Sequence, residues 1–176
     1  MDFFKKKCIC AVLGFLVVAL GVDTTYGSKP ADSFAKISLA LKGCSSCGSC
    51  KTNLRQTLKA SSKAEKVSLK GNGKVEMVYL SPQMLNIRDI VKSMGVLGMK
   101  DSSVVDVLLE ATGKLEKKKD EVYFILEKTG QEFLIEHAPV SALGEASAMH
   151  LKAVVKGWEK ETSHIVLAIK QVEKDK

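Results

Sequence analysis

The chain has 176 residues, 45% hydrophobic and 27% charged, with a formal charge of +7 and a pI near 9.1. That balance suits a packed globular chain and excludes wholesale disorder. The basic excess is spread as Lys-Glu mixtures, with runs at Lys5–Lys7 and Lys117–Lys119, and aromatics make up only 6%; a nucleic-acid surface wants a basic stripe interleaved with aromatics, so no nucleic-acid partner is expected.

Lys5, Lys6 and Lys7 form a basic lead to the apolar run Cys8–Val22, and Ala19-Leu20-Gly21 offers a small-x-small cleavage site. Residues 1–21 therefore read as a secretory signal peptide. The run is short of the roughly 20 residues of a membrane span, so contact with a membrane is expected only if the segment stays uncleaved. The mature protein is then secreted or periplasmic, in a compartment where thiols can oxidise. Cys8 and Cys10 leave with the signal, and Cys44, Cys47 and Cys50 remain. Residues 22–33, small and polar with Gly27 and Pro30, read as a linker.

From Phe34 the chain alternates, Ile37, Leu39 and Leu41 against Lys36, Ser38 and Lys42, which predicts a half-buried strand ending at Gly43. The cysteine stretch follows. Leu54 and Leu58, four apart, with Lys51, Arg55 and Lys59 on the other side, predict a helix. A strand at Lys66–Lys70, the turn Gly71-Asn72-Gly73 and a return strand at Val75–Leu80 predict a hairpin. Ser81-Pro82 then predicts the start of a second helix, with Pro82 in its first turn and Leu85, Ile87, Ile90, Val91 and Met94 on its apolar face. Gly95 is expected to close it, and Val96–Met99 to be a short final strand. The order βαββα(β) is that of a ferredoxin-like domain over residues 34–100.

After Asp101-Ser102-Ser103 the pattern becomes strand-rich. Runs at Val104–Glu116, Val122–Leu126, Glu132–Ile135, Leu151–Trp158 and His164–Val172 read as five strands, with an alanine-rich helix at Val140–Met149 between the third and fourth. That is the order of an OB-like β-barrel domain, placed at 103–176. The expected fold class is thus α+β: a ferredoxin-like βαββαβ domain followed by a small OB-like barrel. Gly113, the Thr129-Gly130-Gln131 turn and Val155-Lys156-Gly157 make this part similar to small secreted OB-fold proteins.

Three cysteines at 44, 47 and 50 form two overlapping C-x-x-C pairs just ahead of the first helix. Read from spacing alone, they suit metal binding, a redox dithiol or a plain disulfide with one thiol over. A thioredoxin-like enzyme usually carries Trp beside its first cysteine, where Ser46 stands. His137, His150 and His164 are far apart and read as surface or turn residues, and the methionines form no M-x-x-M cluster. Neither a Ser-His-Asp set, nor paired carboxylates, nor a phosphate loop is present, so no enzyme activity is expected.

Cys47-Gly48-Ser49-Cys50, with Leu54 and Leu58, Val67 and Leu69, Val75 and Val78, and Ile87, Val91 and Gly95, resembles the heavy-metal-associated domain family. Periplasmic mercury-binding proteins, copper chaperones and modules of metal-pumping ATPases belong to it. The resemblance implies a metal pair at Cys47 and Cys50, because the family's apolar helix positions then fall on Leu54 and Leu58. The pair Cys44 and Cys47 would put Lys51 and Arg55 there, driving charges into the core. It further implies a soft cargo ion, Cu(I) or Hg(II), with Zn(II) possible, handed to or from a donor or acceptor protein such as a membrane transporter. Two departures stand out: Cys44-Ser45-Ser46 replaces the family's Gly-Met-x, offering Cys44 as a third thiolate, and Gly95-Val96 replaces its Gly-Tyr. Two further readings stay open: a thiol-disulfide protein using the same cysteines, and a non-catalytic partner-binding module.

Overall fold

A computed structural model of the chain describes residues 34–42, 48–96, 103–137, 148–159 and 164–174. The expected signal peptide and linker lie outside the described residues. Two helices and eight strands follow in the order β1 (Ala35–Lys42), α1 (Gly48–Ser62), β2 (Lys66–Leu69), β3 (Lys74–Tyr79), α2 (Ile87–Val96), β4 (Ser103–Lys118), β5 (Glu121–Leu126), β6 (Glu132–Glu136), β7 (Met149–Lys156) and β8 (Val166–Lys174).

The sequence signals for the first half act as physics suggests. Ile37 and Leu39 on β1 meet Met77 and Val75 on β3 in antiparallel register, and all four are fully buried. Asn72 and Gly73 take positive φ of 62° and 70° to turn the β2–β3 hairpin. Gly73 has a second reason to be glycine: Leu41 N–H donates to its carbonyl at 2.9 Å, and a Cβ there would sit 2.4 Å from Leu41 O. Helix α1 buries Leu54 and Leu58 and leaves Lys51, Arg55 and Lys59 in water. It ends on a local cap, with Ser62 Oγ donating to Leu58 O and accepting from Ala64 N–H, and Lys63 in the left-handed region.

Strand β4 decides the architecture. It is 16 residues long; after a register shift opposite Ala40 and Leu41 it alternates from Val107 on, burying Val107, Leu109, Ala111 and Leu115 on one face. Its first half pairs with β1 and its last six residues, from Gly113, pair with β5, so β1 and β5 lie end to end along one edge. Its other edge pairs with β7 from Leu108 to Gly113. β5 pairs with β6, β6 runs parallel to β8, and β8 pairs with β7, which closes a five-stranded barrel. One buried cluster runs from the helices, through Leu58, Ile90 and Met94, into the barrel at Phe124, Leu151 and Leu167.

The expected ferredoxin-like βαββαβ domain followed by a separate OB-like domain is therefore corrected. The described residues form a single, mostly β sheet, closed at one end into a loosely OB-like barrel, with two helices on the other part. The physical reason is that β4 presents one continuous inward stripe to both parts, so nothing along it ends one core and begins another. Other differences are local. Helix α2 starts at Ile87, not at Pro82, because the backbone before it is held by side chains from elsewhere. Val96 is the last residue of α2 rather than part of a strand, and residues 97–99 lie outside the described residues. Most of the helix expected at Val140–Met149 also lies outside them, while Met149 itself begins β7. Ser38, expected on the wet face of β1, is 3% exposed. Trp158 follows β7 after Gly157 (φ 75°), packed partly against the core.

Candidate functional site

Of the three expected ligands, Cys44 and Cys47 lie outside the described residues, and for Cys50 the backbone alone is described. It stands in the first turn of α1. That position follows from the helix register: with Leu54 and Leu58 buried, the residue four before Leu54 falls at the N-terminal end of the same helix. The backbone N–H groups of a first turn are unpaired within the helix and the macrodipole is positive there, which favours thiolate over thiol. No acidic residue occurs in the sequence of that turn.

The opposite end of α1 is held firmly. Ser61 Oγ meets Ser93 Oγ of α2 at 3.0 Å, and Ser93 Oγ donates to Ile90 O at 2.7 Å. Below it lies Tyr79, wholly buried; burial pushes its hydroxyl up to about 12, with Ser62 pulling the other way. The Tyr79 hydroxyl lacks a hydrogen-bond partner of good geometry among the described residues.

The link between β3 and α2 is pinned by two distant side chains, Glu65 and Gln131, and by its own Gln83. Glu65 accepts from Leu80 N–H and Ser81 N–H, both at 3.0 Å. Its partial burial pushes the carboxyl up, but these backbone donors outweigh it and hold Glu65 below the usual carboxylate range. Gln83 Nε2 donates to Lys63 O at 3.2 Å. Gln131, in the β5–β6 connection, accepts from Leu85 N–H at 2.7 Å and donates to Leu85 O at 3.1 Å, copying one step of a strand ladder with its amide. Arg88 donates to Gly157 O at 3.2 Å, a second bond from the start of α2 to the barrel.

The remaining polar clusters belong to the barrel and the shared strand. Glu110 on β4 takes Lys36 of β1 at 2.6 Å and Lys152 of β7 at 3.3 Å, its register neighbours on either side. Burial raises the Glu110 carboxyl, and the two lysines more than reverse that, leaving it below the usual range. Lys118 pairs with Glu132 and lies 5.7 Å from the centre of the Tyr123 ring. His164 lines a small groove beside Tyr123 and Phe133, His150 approaches Thr112 Oγ1 at 3.5 Å, and His137 sits exposed in a turn. The histidines thus stay apart, and among the described residues no three His, Cys, Asp or Glu side chains converge as a metal group. No described helix is long and apolar enough to cross a membrane.

Sequence reasoning missed Glu65, Gln131 and Glu110. Only Glu110 left a trace, as a charge on the polar phase of an alternating strand. The others act across 15 or more residues through single side chains, which no local pattern announces. No family model, no curated protein and no solved structure matches this chain.

Proposed function

We propose that the chain is a secreted or periplasmic binding protein for a soft heavy-metal ion, Cu(I) or Hg(II), or Zn(II). The thiolates of Cys47 and Cys50 hold the cargo, with Cys44 as a third donor. The observation that supports this most is the register of α1, which buries Leu54 and Leu58 and sets Cys50 in the helix's first turn. Soft ions prefer thiolates, and few ligands leave the ion open to attack. A thiolate of an acceptor protein, such as a membrane transporter, enters the coordination shell. A cysteine of this chain leaves and takes up a proton, and the ion moves on without redox change.

Titration of the reduced mature chain with Cu(I) or Hg(II), against the Cys47→Ser and Cys50→Ser variants, tests this. Each variant is expected to lose at least about a hundredfold in affinity, more than the loss of an outer-shell partner causes. Unchanged affinity would sink the reading. A wild-type chain that binds neither ion and instead reduces insulin disulfides would replace it with thiol–disulfide exchange.

A further inference from the structure

Helix α1 contains no acidic residue. Its water-facing side carries Lys51, Arg55 and Lys59 at intervals of four, one stripe about 12 Å long at 1.5 Å per residue. Lys63, just past the helix, and Lys66, at the start of β2, add two more exposed basic side chains. None of the five makes an ion pair among the described residues. The carboxylate between the last two, Glu65, is spent on the backbone N–H groups of Leu80 and Ser81. Elsewhere many lysines pair with carboxylates, Lys114 with Glu116, Lys118 with Glu132, Lys156 with Glu136, and Lys36 and Lys152 with Glu110, while the exposed Lys117, Lys119 and Lys170 do not line up on a helix face.

The geometry points to this stripe as a docking surface for an acidic patch on a partner protein. The side chains between the charges on the exposed part of α1, Thr52, Asn53 and Gln56, are polar and uncharged. A membrane-surface helix needs a buried apolar face toward lipid, and the apolar residues of α1, Leu54 and Leu58, are already used in the core. Single-stranded nucleic acid needs aromatic platforms for its bases, and α1 has none. What remains is complementarity of charge, which steers encounter and sets orientation. The stripe begins at Lys51, next to Cys50. If the proposed cargo site is right, the partner is the protein that gives or takes the ion. That identification rests on the proposed function; the docking itself does not.

The test uses poly-L-glutamate as the probe on the full mature chain. One variant replaces Lys51, Arg55 and Lys59 by Gln; a second, with the same change in net charge, replaces the exposed barrel residues Lys117, Lys119 and Lys170 by Gln. The first is expected to bind about tenfold more weakly, the sum of three exposed ion pairs, and the second to change little. Carbodiimide cross-linking followed by peptide mapping is expected to mark Lys51, Lys59 and Lys63. Equal weakening in both variants, or cross-links confined to the barrel, overturns the proposal. So does a stripe-dependent preference for phosphatidylserine vesicles or for an oligodeoxythymidine over the polyglutamate. Repeating the assay on the Cys47→Ser, Cys50→Ser chain separates the two ideas. Docking is expected to persist there, so a failed metal titration and a failed docking assay are read independently.

Discussion

The helix-covered part of the sheet and the barrel share β4 and use it in opposite ways. Over Val107 and Leu109 the strand presents full side chains to Ile37, Leu39 and the helices above them. At Gly113, where the barrel closes, it presents none. A Cβ there would lie 2.3 Å from Ile125 O and 2.8 Å from the Phe124 ring. Gly113 is also the residue at which β5 and β7 meet β4 from its two sides. One inward stripe thus serves an open layered packing by size and a closed one by the absence of size. The surfaces differ as well: several barrel lysines pair with carboxylates, whereas Lys51, Arg55 and Lys59 of α1 make no ion pair among the described residues.

That comparison can be broken most severely at Gly113. Gly113→Val is expected to cost about 3 kcal/mol or more, as overpacking against backbone does. Gly95→Ala in α2, where nothing lies within 4 Å, is expected to gain up to about 1 kcal/mol from helix propensity. Urea denaturation of both measures the contrast; equal, small effects would show that barrel closure does not demand glycine.

A smaller effect is expected from Gln131→Ala, which removes both bonds to Leu85 while Leu85 itself stays buried. Leu85 O keeps Ile87 N–H at 3.1 Å, but leaving Leu85 N–H unpaired costs about 1–3 kcal/mol. Hydrogen exchange is expected to accelerate first around Leu85 to Arg88, where the layered part is tied to the barrel. Protection that stays uniform would show that Gln131 does not fasten the two.

The smallest effect concerns Glu110, at the seam between the parts. Its folded pKa is depressed, so its contribution is present above the unfolded carboxylate pKa and fades as pH falls through the folded value. Glu110→Gln is therefore expected to be less stable than wild type at pH 7 and to approach it in acid. A difference that is constant from pH 7 to pH 2 would mean that Lys36 and Lys152 do not act through charge.

Much of the element pattern was legible in the residues. The alternation of Ile37 and Leu39, the four-residue spacing of Leu54 and Leu58, the Asn72-Gly73 turn and the five barrel runs all name elements that form. The start of α2 was not legible, because Pro82 is compatible with a first turn and only Glu65, Gln83 and Gln131 keep that backbone out of the helix. Ser38 was misread because a polar residue on the second face of a strand is exposed only if that face stays open. For the candidate site, the positions of Leu54 and Leu58 located Cys50 at a helix start; Cys44 and Cys47 lie outside the described residues.

The sequence by itself determined which residues alternate, which repeat at helical spacing and which turns can carry positive φ, because these depend on neighbours a few positions away. Only the tertiary structure decided that the two halves share one strand. Val104–Leu109 and Leu115 read equally well as the edge of a new barrel or as the continuation of an old sheet, since a period of two says which face a residue takes and not which strand lies beside it. The partners of β4, Lys36 and Lys152 beside Glu110 and Phe124 beside Gly113, come from segments tens of residues away, and their meeting made one core where the pattern suggested two.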